Sequence, residues 1–213
     1  MKTSNKLLLG TAICIVLGIF SYAFMMRGAY QKALANPFVN ELKIDLKAVK
    51  YLNLTYDSQV TFKRGDKYEI VLNKTDKDSL RIDYQGDILD LKVGDINNVT
   101  IYCPQLPIMT IAKKDKDNTF IYIDKTFQSG DCVITSLKNS FVEFQKCRFD
   151  KVDIQSKNKA EISMENSEVK LLNLSLPKHS ELNLNYSTIL TKNIVLGDSS
   201  SMVVIGNQLG TLK

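Results

Sequence analysis

Apolar and polar side chains alternate along most of the chain from residue 47 onward. An apolar residue at every second position is the period of a half-buried β-strand, because successive side chains in a strand point to opposite faces. Clusters of Gly, Asp, Asn and Lys separate these segments, as turn residues do. No stretch after residue 47 keeps a helical period for more than about two turns. The pattern predicts an all-β body, with its first strands at residues 51–56, 59–63, 68–73, 80–84, 87–93 and 99–103.

The second half of the chain contains an internal repeat of about 20 residues. Apolar residues return at this step in four columns, and polar corners between the strands keep the same phase. The columns are Ile134, Ile154, Leu174 and Ile194; Val142, Ile162 and Leu182, followed by Val203 at a step of 21; Phe144, Met164 and Leu184, followed by Ile205 at a step of 21; and Phe149, Val169, Ile189 and Leu209. Polar residues fill the outward columns, such as Glu143, Ser163 and Asn183.

This repeat favours a stacked architecture. One coil of about 20 residues cannot bury its apolar side alone, but coils stacked about 4.8 Å apart pair their backbones and form a continuous interior. A Greek-key sandwich also has short strands at regular spacing, but it does not require the same residue class at every repeat. We therefore predict a single-stranded β-helix, or solenoid, with roughly five turns over residues 108–213. The earlier strands would extend its first turns or cover its open end, because an exposed terminal coil invites strand pairing.

The amino-terminal end carries an apolar run from Leu7 to Met26 without a charged residue. A run of about 20 residues is the length that a helix needs to cross a bilayer, and Lys2 and Lys6 before it favour a cytoplasmic amino end. Two interpretations stay open: an uncleaved membrane anchor, or a cleaved secretory signal in which Ser21-Tyr22-Ala23 supplies the small residues at the cleavage site. Either one places the rest of the chain on the exported side, in the periplasm, on the cell surface or secreted. The predicted organisation is an anchor or signal segment (1–27), a stalk (28–46) and a β-helical domain (47–213).

Composition and charge exclude several classes of function. The chain has 28 basic and 23 acidic residues, a formal net charge of +5. Two of the bases precede the apolar run, so residues 27–213 carry 28 − 2 = 26 bases against 23 acids, or +3. This balance lacks the excess of basic residues that a nucleic-acid-binding face requires. With 44% hydrophobic residues the chain can fill a core, which excludes intrinsic disorder.

Three segments and the repeat resemble one known family. The segments are YLNLTYDSQVTFKRGDKYEIVL (51–72), YQGDILDLKV (84–93) and VTIYCPQLPIMTI (99–111). Over residues 47–210 the chain resembles the auto-transporter adhesin, head GIN domain family of exported Bacteroidetes-type proteins. The family has Gly and Ser at the corners of its repeats, where this chain has many Lys, Asn and Asp residues and only 10 Gly in total. The resemblance implies an exported β-helical domain without an established enzyme activity.

Two segments could bind or react with a ligand. His179, the only histidine, lies in the polar corner 177–181, where a general base would need a nucleophile or carboxylate brought close by the fold. The favoured interpretation is a surface histidine. Asp115-Lys116-Asp117-Asn118 imitates the start of a calcium loop, but Phe120 replaces its required glycine and Thr126 its last carboxylate. The favoured interpretation there is a solvated loop.

A pair of acids and the cysteines complete the candidates. Glu161 and Glu181 are 20 residues apart and would lie about one coil apart, a spacing that a glycosidase could use. Nearby lysines favour charge compensation instead. Cys103, Cys132 and Cys147 lie outside the apolar run, and their odd number cannot pair completely within the chain. We interpret Cys132 and Cys147 as small buried residues.

The sequence therefore predicts no catalytic, cofactor-binding or metal-binding residue. Its favoured function is a non-enzymatic, exported cell-envelope module that is adhesin-like or structural. The predicted partners are the membrane through Leu7 to Met26, a glycan or an envelope protein, and no nucleic acid. The alternative is a carbohydrate-active β-helix enzyme, a lyase or hydrolase, which would need carboxylates converging in a groove.

Overall fold

The computed structural model describes residues 19–22, 24–27, 40–96, 98–113 and 120–206. The chain divides into two compact units, Met1–Asn40 and Glu41–Lys213. In the first unit, residues 19–22 and 24–27 are helical, and most of the predicted anchor from Leu7 to Met26 lies outside the described residues. Among the helices that the structure describes, none combines the length and the apolarity needed to cross a membrane. The long apolar helix predicted at the amino-terminal end is therefore not found in the described part of the chain.

The second unit is built from β-strands, and the alternation in the sequence explains most of them. In YLNLTY, for example, Leu52, Leu54 and Tyr56 are buried while Tyr51 and Asn53 are exposed. One short 3-10 helix, Lys74–Ser79, interrupts the strands in this unit. The strands are β1 Glu41–Asp45, β2 Tyr51–Tyr56, β3 Gln59–Arg64, β4 Glu69–Asn73, β5 Leu80–Gln85, β6 Ile88–Val93, β7 Asn98–Cys103, β8 Ile108–Lys113, β9 Ile121–Ile123, β10 Asp131–Lys138, β11 Ser140–Gln145, β12 Arg148–Ser156, β13 Ala160–Glu165, β14 Glu168–Leu176, β15 Glu181–Asn185, β16 Thr188–Leu196 and β17 Ser201–Ile205.

The strands form two mixed sheets. Sheet 1 has nine strands in the order β1-β4-β7-β3-β9-β11-β13-β15-β17, and sheet 2 has eight in the order β16-β14-β12-β10-β8-β2-β6-β5. From β6 onward the chain alternates between the sheets. Two successive strands, one in each sheet, form a rung, and each rung pairs in parallel with the neighbouring rungs. Buried side chains from both sheets form one apolar core.

The prediction of a single-stranded β-helix solenoid is wrong, although the all-β class is right. The finding that overturns it is the topology of the first half. Strands β2 and β3 lie between the β6–β7 rung and the β8–β9 rung, out of chain order, and β1, β4 and β5 pair antiparallel at the far edges. An alternating strand buries one face equally well beside several neighbours, so its pattern does not fix its place in a sheet.

The register of the second half follows the 20-residue step. Ile134, Ile154, Leu174 and Ile194 are successive partners in parallel strands. The first three are at most 2% exposed, whereas Ile194 in the terminal rung is half-buried. The core therefore ends at the rung formed by β16 and β17. Leu209, the last member of another predicted column, lies outside the described residues.

The predicted step of 21 residues into the last strand is wrong. Leu182 pairs with Met202 and Leu184 with Val204, which keeps the step at 20. Val203 and Ile205 consequently pair with Asn183 and Asn185 and are 42% and 47% exposed. Because side chains alternate between the faces of a strand, a shift of one residue exchanges inward and outward positions.

Buried serines form hydrogen bonds between the corners of successive rungs. The Ser187 Oγ accepts a hydrogen bond of 3.0 Å from the Ser167 N–H and donates one of 3.0 Å to the Met164 carbonyl. The Ser167 Oγ accepts from the Cys147 N–H at 3.1 Å in the same way, one rung earlier. These hydroxyls satisfy backbone donors that the turns would otherwise leave buried without an acceptor.

Candidate binding cleft

A cleft of about 540 Å³ opens at the amino-terminal ends of β2, β8 and β10 in sheet 2. Its floor is apolar: Phe127 and Phe149 are 2% and 1% exposed, and their rings stack with centroids 6.2 Å apart. Polar groups lie among apolar side chains in the walls. The lining comprises Val49, Lys50, Gln105, Leu106, Pro107, Ile108, Phe127, Ser129, Gly130, Asp131, Val133 and Phe149.

The cleft exists because β8 and β10 separate at this end. Strand β10 pairs with β12 from Asp131 onward, but its pairing with β8 begins only at Ile134, opposite Met109. Pro107 precedes β8 and has no N–H with which to extend the ladder. The two strands therefore part over the first three residues of β10.

Main-chain groups of β10 point into this gap. The Gly130 carbonyl accepts a hydrogen bond of 2.8 Å from the Asp150 N–H of β12. Across the trans peptide bond, the Asp131 N–H points the opposite way, toward the cleft. In an extended chain the Asp131 carbonyl and the Val133 N–H share this direction. Within the described residues, no backbone hydrogen bond links Asp131 or Val133 to Pro107.

Three backbone N–H groups of the opposite wall already have hydrogen-bond partners. The Ile108 N–H donates to the Lys50 carbonyl at 3.0 Å, and the Lys50 and Tyr51 N–H groups both donate to the Asp87 carbonyl. The Lys50 ammonium lies 5.3 Å from the centre of the Tyr51 ring, where the negative face of the ring attracts it. Across the trans peptide bond, the Pro107 carbonyl points the opposite way from the Ile108 N–H, toward β10. Most main-chain groups that a ligand could pair with therefore lie on the β10 side.

The electrostatics of the cleft suit binding rather than acid–base catalysis. Lys50 and Asp131 are its charged side chains, and both are exposed. Glycoside hydrolysis requires two carboxyl groups about 5–9.5 Å apart, and Asp131 is the single carboxyl group in this lining. The cleft can hold a ligand through one positively and one negatively charged side chain around an apolar floor.

His179 lies apart from the cleft, in the corner between β14 and β15. It is exposed and has a left-handed backbone conformation, with φ of 59°. The backbone N–H of His179 donates a hydrogen bond of 3.3 Å to the Asp198 backbone carbonyl. These contacts agree with the interpretation as a surface histidine.

Glu161 and Glu181 are neighbours in the register of β13 and β15. Partial burial and the nearby Glu181 carboxylate raise the pKa of Glu161, while Lys159 opposes the shift. Glu161 lines a separate depression of about 230 Å³ that Glu181 does not line. The structure thus brings the two acids together but not around a common groove.

The three cysteines outside the apolar run are buried and form no disulfide. Burial raises the pKa of the Cys103 and Cys147 thiols to about 12 and holds the pKa of Cys132 far above its usual range. Such thiols are neutral and unreactive at neutral pH. The calcium-like segment at Asp115 lies outside the described residues, and within those residues no group of three or more His, Cys, Asp or Glu side chains could hold a metal ion.

Outward polar residues form the ladders that the repeat predicts. Glu143, Ser163 and Asn183 are register partners on sheet 1. On sheet 2, the Asn193 amide donates to the Asn173 side-chain carbonyl at 2.9 Å. These polar side chains lie on the outer faces of the sheets and do not line the cleft.

The cleft was not predicted from the sequence. Its walls come from segments far apart in the chain, around residues 50, 106 and 130. Two signals point to it in retrospect: Pro104 and Pro107 flank a dipeptide just before a strand, and Gly130 precedes another. Both residue types interrupt strand pairing, so together they indicate where two strands can part.

The fold defines a two-sheet, all-β domain that is similar to solved proteins. A candidate adhesin from Parabacteroides distasonis aligns with a TM-score of 0.50 and 10% sequence identity over 76% of this chain and 79% of that one. A candidate adhesin from Parabacteroides merdae aligns with a TM-score of 0.48 and 11% identity over the same shares. A candidate lipid-binding protein from P. distasonis gives a TM-score of 0.33 at 10% identity, over 79% of this chain and 98% of that one.

The likeness to the P. distasonis adhesin candidate, at a TM-score of 0.50 and 10% identity, shows a common fold and nothing more. No family model matches the chain, and no curated protein matches it either. Two of these neighbours are adhesin candidates and the third is a lipid-binding candidate. No family model supports membership in the GIN domain family.

Proposed function

We propose that this chain is a non-enzymatic, exported cell-envelope protein that binds a glycan or another envelope protein in the cleft. The observation that carries the proposal is the lining of the cleft. An apolar floor with a few polar groups, in a volume of about 540 Å³, has the size and composition of ligand sites, which span roughly 300–1,000 Å³.

Sequence features support export and an adhesin-like role. The apolar run from Leu7 to Met26 is suited to carry the following domain to the exported side, whether it is retained or cleaved. The resemblance of residues 47–210 to the GIN domain family agrees with this location. The shared fold with an adhesin candidate of P. distasonis is compatible with the same role.

Blocking the cleft tests the proposal. Val133 is half-buried in the cleft wall, and Val133→Trp would place an indole in the gap between β8 and β10. Val71→Trp is the matched control, because Val71 is also half-buried in a strand but belongs to sheet 1, away from the cleft. The purified full chain and both variants are applied to an array of bacterial and host glycans and to an array of heptapeptides.

We expect Val133→Trp to weaken binding at least tenfold, while Val71→Trp binds like the unmodified chain. Circular dichroism spectra and melting temperatures of both variants show whether the fold is kept. Equal binding by the unmodified chain and Val133→Trp, with the fold intact, excludes the cleft as the binding site.

A further inference from the structure

We propose that the ligand of the cleft is an extended polypeptide segment, which adds to β10 as a short strand. This inference rests on the proposed binding role of the cleft and names its partner class. The partner would fill the gap between β10 and the start of β8, where the sheet lacks one stretch of strand.

The main chain of β10 matches the repeat of an extended peptide. The Asp131 N–H and carbonyl and the Val133 N–H face the gap, and they belong to residues two positions apart. A strand rises by about 3.3 Å per residue, so their spacing equals the two-residue repeat with which any extended peptide presents its own donors and acceptors. Peptides that add to a sheet edge gain affinity from such main-chain bonds and specificity from alternate side chains.

The apolar floor fits a peptide side chain better than a sugar ring. Sugar rings commonly stack on the exposed face of an aromatic side chain. The two aromatic residues of the lining, Phe127 and Phe149, are almost fully buried and present no free ring face. An apolar side chain that points down from the added strand can instead contact Val49, Leu106 and Val133, which are half-buried in the walls.

The charges complement a peptide end. Lys50 places a positive charge at the rim, which would attract a free carboxyl terminus, and Asp131 supplies a negative charge on the β10 side. Opposite charges at a rim steer and orient a ligand. A peptide that ends in a carboxylate is therefore expected to bind more tightly than its amide.

The test uses random heptapeptides prepared with free carboxyl termini and as carboxyl-terminal amides. Binding of the full chain to the best sequences is measured by fluorescence anisotropy. Each sequence is then remade in two phases, one with N-methyl groups on the odd-numbered amides and one with them on the even-numbered amides. N-methylation removes the hydrogen-bond donors but keeps the side chains. We expect N-methylation in one of the two phases to weaken binding roughly tenfold, the effect of losing one or two hydrogen bonds, and amidation to weaken it a few-fold.

Two variants separate backbone from side-chain contacts. Val133→Pro removes the N–H that faces the cleft, while the N–H groups of its neighbours, on the β12 side, are retained. Val133→Ala keeps the N–H and shortens the side chain. We expect roughly tenfold weaker peptide binding with Val133→Pro and a smaller loss with Val133→Ala. If Val133→Pro does not fold, the N-methylated peptides still decide the question, because they leave the protein unchanged.

The outcomes distinguish this inference from the proposed function. Glycan binding that Val133→Trp abolishes, with no heptapeptide bound, overturns the peptide inference and leaves the binding role of the cleft intact. The peptide inference is also overturned if peptides bind but neither phase of N-methylation nor Val133→Pro weakens their binding. Binding that Val133→Trp leaves unchanged overturns both.

Discussion

The position of a side chain in the stack should decide how much it stabilises the fold. Ile154 and Ile194 offer a matched test, because they are the same residue in the same column, 40 positions apart. Ile154 is fully buried, with Ile134 on one side and Leu174 on the other. Ile194 has Leu174 on one side only and is half-buried in the terminal rung. The perturbation is alanine at each position in turn.

The expected magnitudes follow from burial. Truncating a fully buried isoleucine to alanine costs about 2–5 kcal/mol, since the apolar contact is lost and a cavity remains. We expect Ile154→Ala near the middle of that range. At Ile194, solvent already reaches part of the side chain and can fill the space, so about half that cost is expected. For a unit of this size, 1 kcal/mol corresponds to roughly 2–4 °C in melting temperature.

Urea unfolding followed by circular dichroism measures both free energies of unfolding. The chain has no tryptophan, so tyrosine fluorescence is the independent probe, and agreement of the two transitions supports a two-state analysis. Equal losses of unfolding free energy in the two variants, or a larger loss for Ile194→Ala, would refute the stacking order and the terminal position of the β16–β17 rung.

Two further predictions concern charge and buried hydrogen bonds. The raised pKa of Glu161 means that the folded state binds its proton more tightly than the unfolded state, so stability falls as pH rises from the unfolded pKa through the folded one. Glu161→Gln, which removes the repulsion by Glu181, should raise the free energy of unfolding at pH 7 by a few tenths of a kcal/mol and make no difference near pH 3.5. A lower free energy of unfolding at pH 7, measured by urea titration, would contradict this. Ser187→Ala should cost about 1–3 kcal/mol, because the buried Ser167 N–H loses its acceptor. The exposed Ser175→Ala should stay within about 0.5 kcal/mol of the unmodified chain, and similar losses in both variants would show that the corner hydrogen bond is unimportant.

The register of the repeat could be predicted from residue spacing, because each rung repeats the same pattern of buried side chains. Ile134, Ile154 and Leu174 recur at a fixed step, and parallel pairing of identical rungs brings them together. The terminal rung shows the limit of this reasoning. Residues 202–205 are all apolar, so the sequence cannot distinguish the inward from the outward side chains, whereas pairing with β15 decides the register.

The cleft could not be predicted because no local pattern encodes it. Lys50 and Asp131 are separated by 81 positions, and they line one space only because β2 was inserted beside β8. The individual signals, two prolines and a glycine, mark strand ends wherever they occur. Only the packing of three segments converts them into a site.

The sequence by itself determined the all-β class, most strands other than β1, which lies in the predicted stalk, and the register of the repeat up to its last strand, because alternation and a constant step express side-chain burial directly. The tertiary structure decided the order of the strands in the two sheets, the antiparallel edges and the place where β8 and β10 part. These depend on competition between strands with equivalent apolar faces, and that competition is resolved by contacts between residues far apart in the chain.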